Sequence, residues 1–494
     1  MNPGDRRPFT AAISDGVRIT RGSMMKRLPA LVVLAATVLF GFCGVATEVR
    51  AGSAAELWLT HPKGAARFEK QSGTRSFTAG AAQNPAIAVD TSTRFQAIDG
   101  FGYSLTGGSA THLLGMTPAG RAAILTELFG TNATSISVSV LRISIGASDL
   151  DERAYSYDDL PEGVTDPDLK RFNLGPDLTN VVPVLKQVLA IAPKVKLMGS
   201  PWSAPVWMKT KRDFRGGSLK RECFGVYARY LVKYIEAMKG LGIELEFITV
   251  QNEPLHPGNN PSMYMSANDQ AEFIREHLGP AFAKAGLSTK IVCYDHNADR
   301  PDYALTILND PGAKRFVDGS AFHLYGGKIE AVSQVHEAHP DKNLYFTEQW
   351  IGAPGNLPGD LAWHTSQLIV GATRNWCRTV LEWNLSSAPD LRPHTDRGGC
   401  DRCLGAITID GDRITRNPAY YIIAHASKFV RPGSVRVAST ASAQLPNVAF
   451  LTPSGQKVLI VLNRDGNEAS FKIDAPEGGL DVTLPGGAVG TFVW

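Results

Sequence analysis

Leu245-Glu246-Phe247-Ile248-Thr249-Val250-Gln251-Asn252-Glu253-Pro254 is the stretch on which the fold turns. It begins as a run of β-branched and apolar residues and ends on a carboxylate flanked by an amide and a proline. Such a run, closed by turn residues, predicts a buried strand with Glu253 at its C-terminal end. Upstream, similar runs predict strands at Ala97–Phe101, Ser137–Ile145 and Lys194–Gly199. Downstream they fall at Lys290–Asp295, Asp318–Tyr325, Asn343–Glu348 and Arg378–Asn384. Between them lie amphipathic stretches of helical period, among them Thr117–Phe129, Val181–Ile191, Phe224–Leu241, Asp269–Ala285 and Asp360–Ala372. A last one, Pro418–Val430, opens on Asn417-Pro418, a helix-start signal. Eight strands alternating with helices predict a (β/α)₈ TIM barrel over residues 95–431. The rival, a doubly wound sheet, calls for a glycine-rich phosphate turn after its first strand, and Gly100-Phe101-Gly102 is too short a signal for one.

The texture changes after Pro432. Short strands with Gly, Asp, Asn and Pro between them run from Val435 to Trp494, which predicts an all-β sandwich over 432–494. Alternating stretches within 52–94, such as Leu57-Trp58-Leu59 and Ala86–Val89, are candidates to add strands to it. The chain's first 51 residues read as a leader: Met24-Met25-Lys26-Arg27, the apolar run Leu31–Phe42, then Val49-Arg50-Ala51 as a small-x-small cleavage site. The apolar run is short for a membrane span, so a cleaved signal peptide and a secreted or periplasmic mature chain are expected, with no stable membrane insertion.

The leader takes seven Lys/Arg and three Asp/Glu from chain totals of 50 and 47, which leaves the mature chain at net charge −1. That balance offers no electrostatic footprint for nucleic acid or an acidic membrane. Cys43 would leave with the leader, and bulky Phe40-Gly41-Phe42 before it argues against a lipid anchor there. Five cysteines remain; Cys400-Asp401-Arg402-Cys403 reads as a loop disulfide, because no second Cys or His pair completes a metal site.

Chemistry in such a barrel collects at the C-terminal strand ends. Glu253 ends the fourth strand and Glu348 the seventh. A lone glutamate there is ordinarily a surface charge, but two at matched ends can face each other as the acid and the carboxylate of glycoside hydrolysis. Aromatic residues gather at the same end: Trp202 and Trp207 past the third strand, Tyr325 at the sixth, Trp350 past the seventh and Trp383 at the eighth. Sugar rings stack their C–H faces on such side chains. Arg142, inside the second strand, would point into the barrel and needs a carboxylate partner such as Glu348; it is a candidate for the sugar site or for a purely structural salt bridge. His323 is a candidate either for sugar contact or for a structural hydrogen bond.

Several segments together resemble glycoside hydrolase family 30, the group containing glucosylceramidases and endo-β-1,6-glucanases. They are Gln96-x-x-Asp99-Gly100-Phe101-Gly102, Leu141-Arg142-Ile143-Ser144-Ile145-Gly146, Tyr155–Asp159, Ser200–Thr210, Gln251-Asn252-Glu253-Pro254, His323-Leu324-Tyr325, Thr347-Glu348 and Glu382-Trp383-Asn384. The resemblance implies a barrel with a sandwich built from both chain ends, retention of configuration and no cofactor or metal. It implies Glu253 as acid/base and Glu348 as nucleophile, with Asn252, Trp202, Tyr325 and Trp383 lining the sugar subsite. The substrate expected is a carbohydrate or glycolipid β-glucoside. One departure stands out: Leu105-Thr106-Gly107-Gly108-Ser109 has Gly107 where a sugar-binding Asp is expected, which would weaken recognition of a terminal glucose or admit a longer chain. The loop His394–Cys403 is a second place where the cleft could be reshaped. β-Xylosidase or β-fucosidase activity on the same scaffold is the alternative among enzymes, and a non-catalytic carbohydrate-binding protein the alternative outside them.

Overall fold

The computed structural model describes residues 54–73, 75–78 and 85–494. The proposed leader, with its apolar run and Cys43, lies outside the described residues. Among those described, no helix is long and apolar enough to cross a membrane.

Eight parallel strands close into a barrel. In chain order they are Gly100–Leu105, Val140–Ile145, Lys196–Pro201, Phe247–Thr249, Lys290–Asn297, Val317–His323, Asn343–Glu348 and Cys377–Asn384. The eighth pairs with the first, Val380 beside Phe101, and shuts the ring. Strands one and two approach so closely that a Cβ on Gly102 would lie 1.9 Å from the Val140 carbonyl oxygen, so only glycine fits there. Met198, Phe247, Val292, Ala321 and Tyr345 fill the interior as a separate apolar cluster.

Several elements differ from their expected form, among them Asp360–Ala372, whose second part, Thr365–Ala372, is π-helical. The first barrel strand starts at Gly100, because the preceding residues belong to Ala86–Ala97, a 12-residue strand of the sandwich. The fourth is confined to Phe247–Thr249, since the chain leaves the ladder to make the turn that carries Glu253. The helix expected over Asp269–Ala285 is interrupted by a π-helical turn, Ile274–Leu278, between Ala267–Phe273 and Gly279–Ala285. Pro280, which has no N–H to donate back into the helix, stands two residues past the end of that turn.

The sandwich is built from both ends of the described chain. Val489–Val493 lies between Ala54–Thr60 and Lys457–Leu462, antiparallel to both. Ala86–Ala97 joins two parts of the structure: its first residues run parallel to Ala469–Ala475, and its last pair with Val435–Ser439. Along Lys457–Leu462 the two-residue period has both faces buried. Leu459 and Val461 enter the sandwich's own core, while Val458, Ile460 and Leu462 join the cluster shared with the barrel. The sandwich therefore buttresses the barrel instead of hanging from it by a linker.

Candidate active site

Glu253 sits past the fourth strand with a left-handed backbone, φ +43°. That conformation is costly for a residue with a side chain and is held here by its N–H, which donates to the Asp295 carbonyl at 3.0 Å. Asp295, at the end of the fifth strand, is itself left-handed at φ +75°. Glu348 ends the seventh strand in ordinary extended form. Both glutamates are buried, and one carboxylate oxygen of each lies within 4.8 Å of the other and of a His323 ring nitrogen.

Beneath them lies a charged network. Arg142 Nη1 donates to Glu348 Oε2 at 2.5 Å, and Nη2 donates to Asn252 Oδ1 at 2.6 Å and Asp295 Oδ2 at 2.8 Å. The guanidinium lies over the Trp202 ring, 4.8 Å from its centroid, with Trp383 at 5.8 Å. Tyr325 donates its hydroxyl to Glu348 Oε1 at 2.9 Å. Glu253 Oε2 receives the Asn259 amide at 3.2 Å, and its Oε1 has His323 Nδ1 at 3.5 Å and His296 Nε2 at 3.8 Å.

Asp295 is the hub. Its Oδ2 accepts from Arg142, from Ser200 Oγ at 2.6 Å and from Thr249 Oγ1 at 2.7 Å; its Oδ1 accepts from Thr347 Oγ1 at 2.7 Å and faces His323 Nε2 at 3.1 Å. Burial opposes its charge, but Arg142 and His323 hold the carboxyl well below the usual range. Burial likewise opposes the His323 cation, and the charges of Glu348 and Asp295 overcome it, raising the imidazole to about 9. Burial presses both glutamates toward the neutral form. At Glu253 the His323 hydrogen bond and the charges of His323 and His296 prevail and hold it below its ordinary value. At Glu348 burial with the charges of Glu253 and Asp295 outweighs His323 and Arg142 and raises it. Two negative charges this close repel strongly, so the proton affinity of each depends on the charge of the other.

A third carboxylate faces the same cleft. Asp149 follows the second strand, is buried, and is pushed up to about 8 by burial and then by the charges of Glu348 and Glu253. With Glu253, Glu348, Tyr325 and the tryptophans 202, 350 and 383, it lines a cavity of about 440 Å³.

The expected residues are thus largely brought together. Asn252, Trp202, Tyr325 and Trp383 surround the two glutamates, and Arg142 finds the carboxylate partners its burial requires. Arg142 and His323, each 0% exposed, lie under the glutamates and not on the cleft wall. The sugar contact expected of them is corrected to a positioning role, because groups so fully enclosed cannot touch a ligand in the cleft. Trp207 stays out of the cleft; its indole N–H donates to Asp158 Oδ2 at 3.1 Å. The significance read into Gly107 also changes. Gly107 lines a neighbouring cavity, where a Cβ would fall 1.7 Å from Asp151 Oδ1, and the cleft's extra carboxylate comes from Asp149. Asp149 and Asp295 were missed as site residues, although Asp295 falls near the C-terminal end of a strand and Asp149 four residues beyond one. Cys400 and Cys403 form the expected disulfide, while Cys223, Cys293 and Cys377 are free and buried.

A barrel whose mouth holds two buried, facing glutamates over an arginine, ringed by aromatic side chains, has the equipment of a carbohydrate-cleaving enzyme. Comparison with known proteins agrees. Residues 98–430 match the glycosyl hydrolase family 30 TIM-barrel domain and residues 433–492 the family 30 beta sandwich domain. Endo-1,6-beta-D-glucanase neg1 of Aspergillus fumigatus is 34% identical over 411 residues, covering 78% of this chain and 82% of that protein. The lysosomal acid glucosylceramidase of Mus musculus is 29% identical over 435 residues, 83% of each chain. Among solved structures, the endo-beta1,6-glucanase BT3312 superimposes with a TM-score of 0.83 at 33% identity, covering 90% of this chain and 99% of that one. The chain belongs to glycosyl hydrolase family 30 and is a glycosidase.

Proposed function

We propose that the chain cleaves β-1,6-linked glucan internally and with retention of configuration, Glu253 acting as general acid/base and Glu348 as nucleophile. One observation carries the mechanism: the two carboxylates approach within 4.8 Å, near the retaining separation of about 5–5.5 Å and short of the roughly 6.5–9.5 Å that admits a water between them. The roles follow from the donors. Arg142 and Tyr325 both donate to Glu348 and aim it, whereas Glu253 receives the Asn259 amide and faces His323 Nδ1 at 3.5 Å. In the first step Glu253 gives its proton to the glycosidic oxygen as Glu348 attacks the anomeric carbon and the leaving sugar departs. In the second, Glu253 takes a proton from water, whose oxygen displaces Glu348 from the sugar. Asp149, neutral at pH 7, and the Asn252 amide nitrogen offer donors to sugar hydroxyls, while Trp202, Trp350 and Trp383 offer apolar faces.

The choice of glucan rests on the likeness to proteins named as endo-1,6-beta-glucanases, which exceeds that to the glucosylceramidase. The leader pattern supports export of the mature chain, which N-terminal sequencing of protein recovered outside the cytoplasm would check. The deciding experiment is hydrolysis of β-1,6-glucan, glucosylceramide and aryl β-glucosides, with products followed by chromatography and the anomeric proton by NMR. A ladder of β-1,6-oligosaccharides appearing first as the β-anomer is expected. Glu348→Gln should abolish turnover. Glu253→Ala should keep activity on aryl glucosides with good leaving groups, where azide should accelerate it. An α-anomer first, or wild-type rate in Glu348→Gln, would overturn the mechanism; glucose alone from glucan would overturn internal cleavage.

A further inference from the structure

The segment from Ala388 to Leu404 leaves the eighth strand and runs along the rim of the cleft. It is pinned to four other parts of the mouth. Thr395 N–H donates to the Asp149 carbonyl at 2.9 Å, past the second strand. Arg397 donates to both Asp213 carboxylate oxygens at 3.1 Å, past the third. Asn260 Nδ2 donates to the Asp396 carbonyl at 2.9 Å, past the fourth. Cys403 pairs with Gly352, past the seventh, and the Ala353 N–H donates to the Arg402 carbonyl at 2.8 Å.

The Cys400–Cys403 disulfide lies on the inner side of this arch. Both cysteines line the same cavity as Glu253 and Glu348. They pack in one cluster with Leu150, Trp202 and Trp383, against which Trp350 also rests. Two sulfurs therefore stand among the aromatic groups available to a sugar. They are polarisable, and they suit the C–H edge of a pyranose ring better than a hydroxyl would. Cys403 has a strand pairing of its own, and Cys400 is held by the bond to Cys403 and by a backbone hydrogen bond to the Asp149 carboxyl.

We propose that the Cys400–Cys403 disulfide is a specificity-determining wall of the sugar site, contacting the bound sugar and holding the arch closed against it, so that affinity depends on the bond being intact. This rests on the reading of the cleft as the glycan site. When an added dithiol reduces the bond, the sulfur–sulfur link breaks. The dithiol closes to its own disulfide, and its two electrons and two protons leave Cys400 and Cys403 as thiols. The remaining cysteines among the described residues are free thiols, already reduced, so among these residues this bond is what the reagent changes.

The test compares the oxidised full chain, the same chain in dithiothreitol, and the Cys400→Ser/Cys403→Ser double variant on β-1,6-gluco-oligosaccharides. In parallel, calorimetry measures gentiobiose, the β-1,6-linked glucose disaccharide, binding to oxidised and reduced Glu348→Gln. Reduction and the double substitution should each raise KM about tenfold with kcat held within about twofold, the pattern of lost uniform binding. Gentiobiose affinity should fall by a similar factor, and dithiothreitol should leave the double variant unchanged. Binding and KM blind to both perturbations would overturn the proposal, as would a kcat loss without a KM change. Absence of gentiobiose binding to oxidised Glu348→Gln would overturn it together with the substrate reading, which separates the two failures.

Discussion

Asp295→Asn is the substitution that most directly probes the network under the glutamates. The side chain keeps its shape, but one carboxylate oxygen becomes an NH₂. If that is Oδ2, the donors Arg142, Ser200 and Thr249 lose their acceptor; if Oδ1, Thr347 and His323 lose theirs. Either orientation sacrifices at least two bonds to a charged group, at about 1.5–3 kcal/mol each, a loss of about 3–6 kcal/mol. The lower end alone, about 3 kcal/mol, is about a hundredfold in rate if it falls on the transition state. The charge balance also moves: without the Asp295 anion, one proton must leave the set formed by His323 and the two glutamates, so the alkaline limb of the pH profile should shift down. The assay is kcat/KM on an aryl β-glucoside from pH 4 to 9, with near-ultraviolet circular dichroism to verify folding. Thr347→Val supplies a graded comparison, since losing one donor to the same charged carboxylate should cost about 1.5–3 kcal/mol, about half the loss expected of Asp295→Asn. A folded Asp295→Asn variant within threefold of wild type at every pH would refute the reasoning.

Asp149→Asn tests the raised carboxyl. Its pKa rises from 3.8 to about 8 on folding, so ionising it destabilises the native protein progressively as pH climbs through that window. The variant should therefore gain stability relative to wild type from about pH 4 to pH 8, read by denaturant unfolding at several pH values. Its kcat/KM should also persist above pH 8, where the wild type places a further negative charge beside Glu348. Coincident profiles would show that Asp149 does not titrate there. Gly107→Asp, which inserts the carboxylate expected from the resemblance, should leave the preference between β-1,6-glucan and aryl glucosides unchanged, because Gly107 lines the other cavity. The clash with Asp151 should cost about 1–3 kcal/mol of stability, read as a lower melting temperature.

Much of this was legible in the chain. Buried parallel strands carry apolar residues on both faces, so the consecutive apolar residues Leu344-Tyr345-Phe346 and Val380-Leu381 stand out between helices of different period. Glu253 and Glu348 were visible because each terminates such a run, and Arg142 because a guanidinium inside one demands partners. What escaped depends on spatial placement. Asp295 closes a run as Glu348 does, yet its meaning comes from Arg142, Ser200, Thr249, His323 and Thr347, contributed by five other strands or strand ends. Asp149 lies four residues beyond the second strand, and only the path of the loop turns it into the cleft. The π-helical turn before Pro280 was masked because the apolar stripe runs on through it.

The same network accounts for why a glycosidase working by the proposed mechanism would bury so many charges. At neutral pH, Arg142 and His323 contribute two positive charges, and Asp295 one negative charge. Asp149 is neutral. The buried set reaches zero net charge only if the glutamate pair supplies a single negative charge, with one member ionised and one protonated. That is the state the first chemical step requires, a nucleophile beside an acid. An enclosed, dry site penalises any other total, since uncompensated charge is expensive there. Removing a permanent charge from beneath the pair should therefore disturb catalysis even though neither Arg142 nor Asp295 touches the sugar, because it changes how many protons the two glutamates hold.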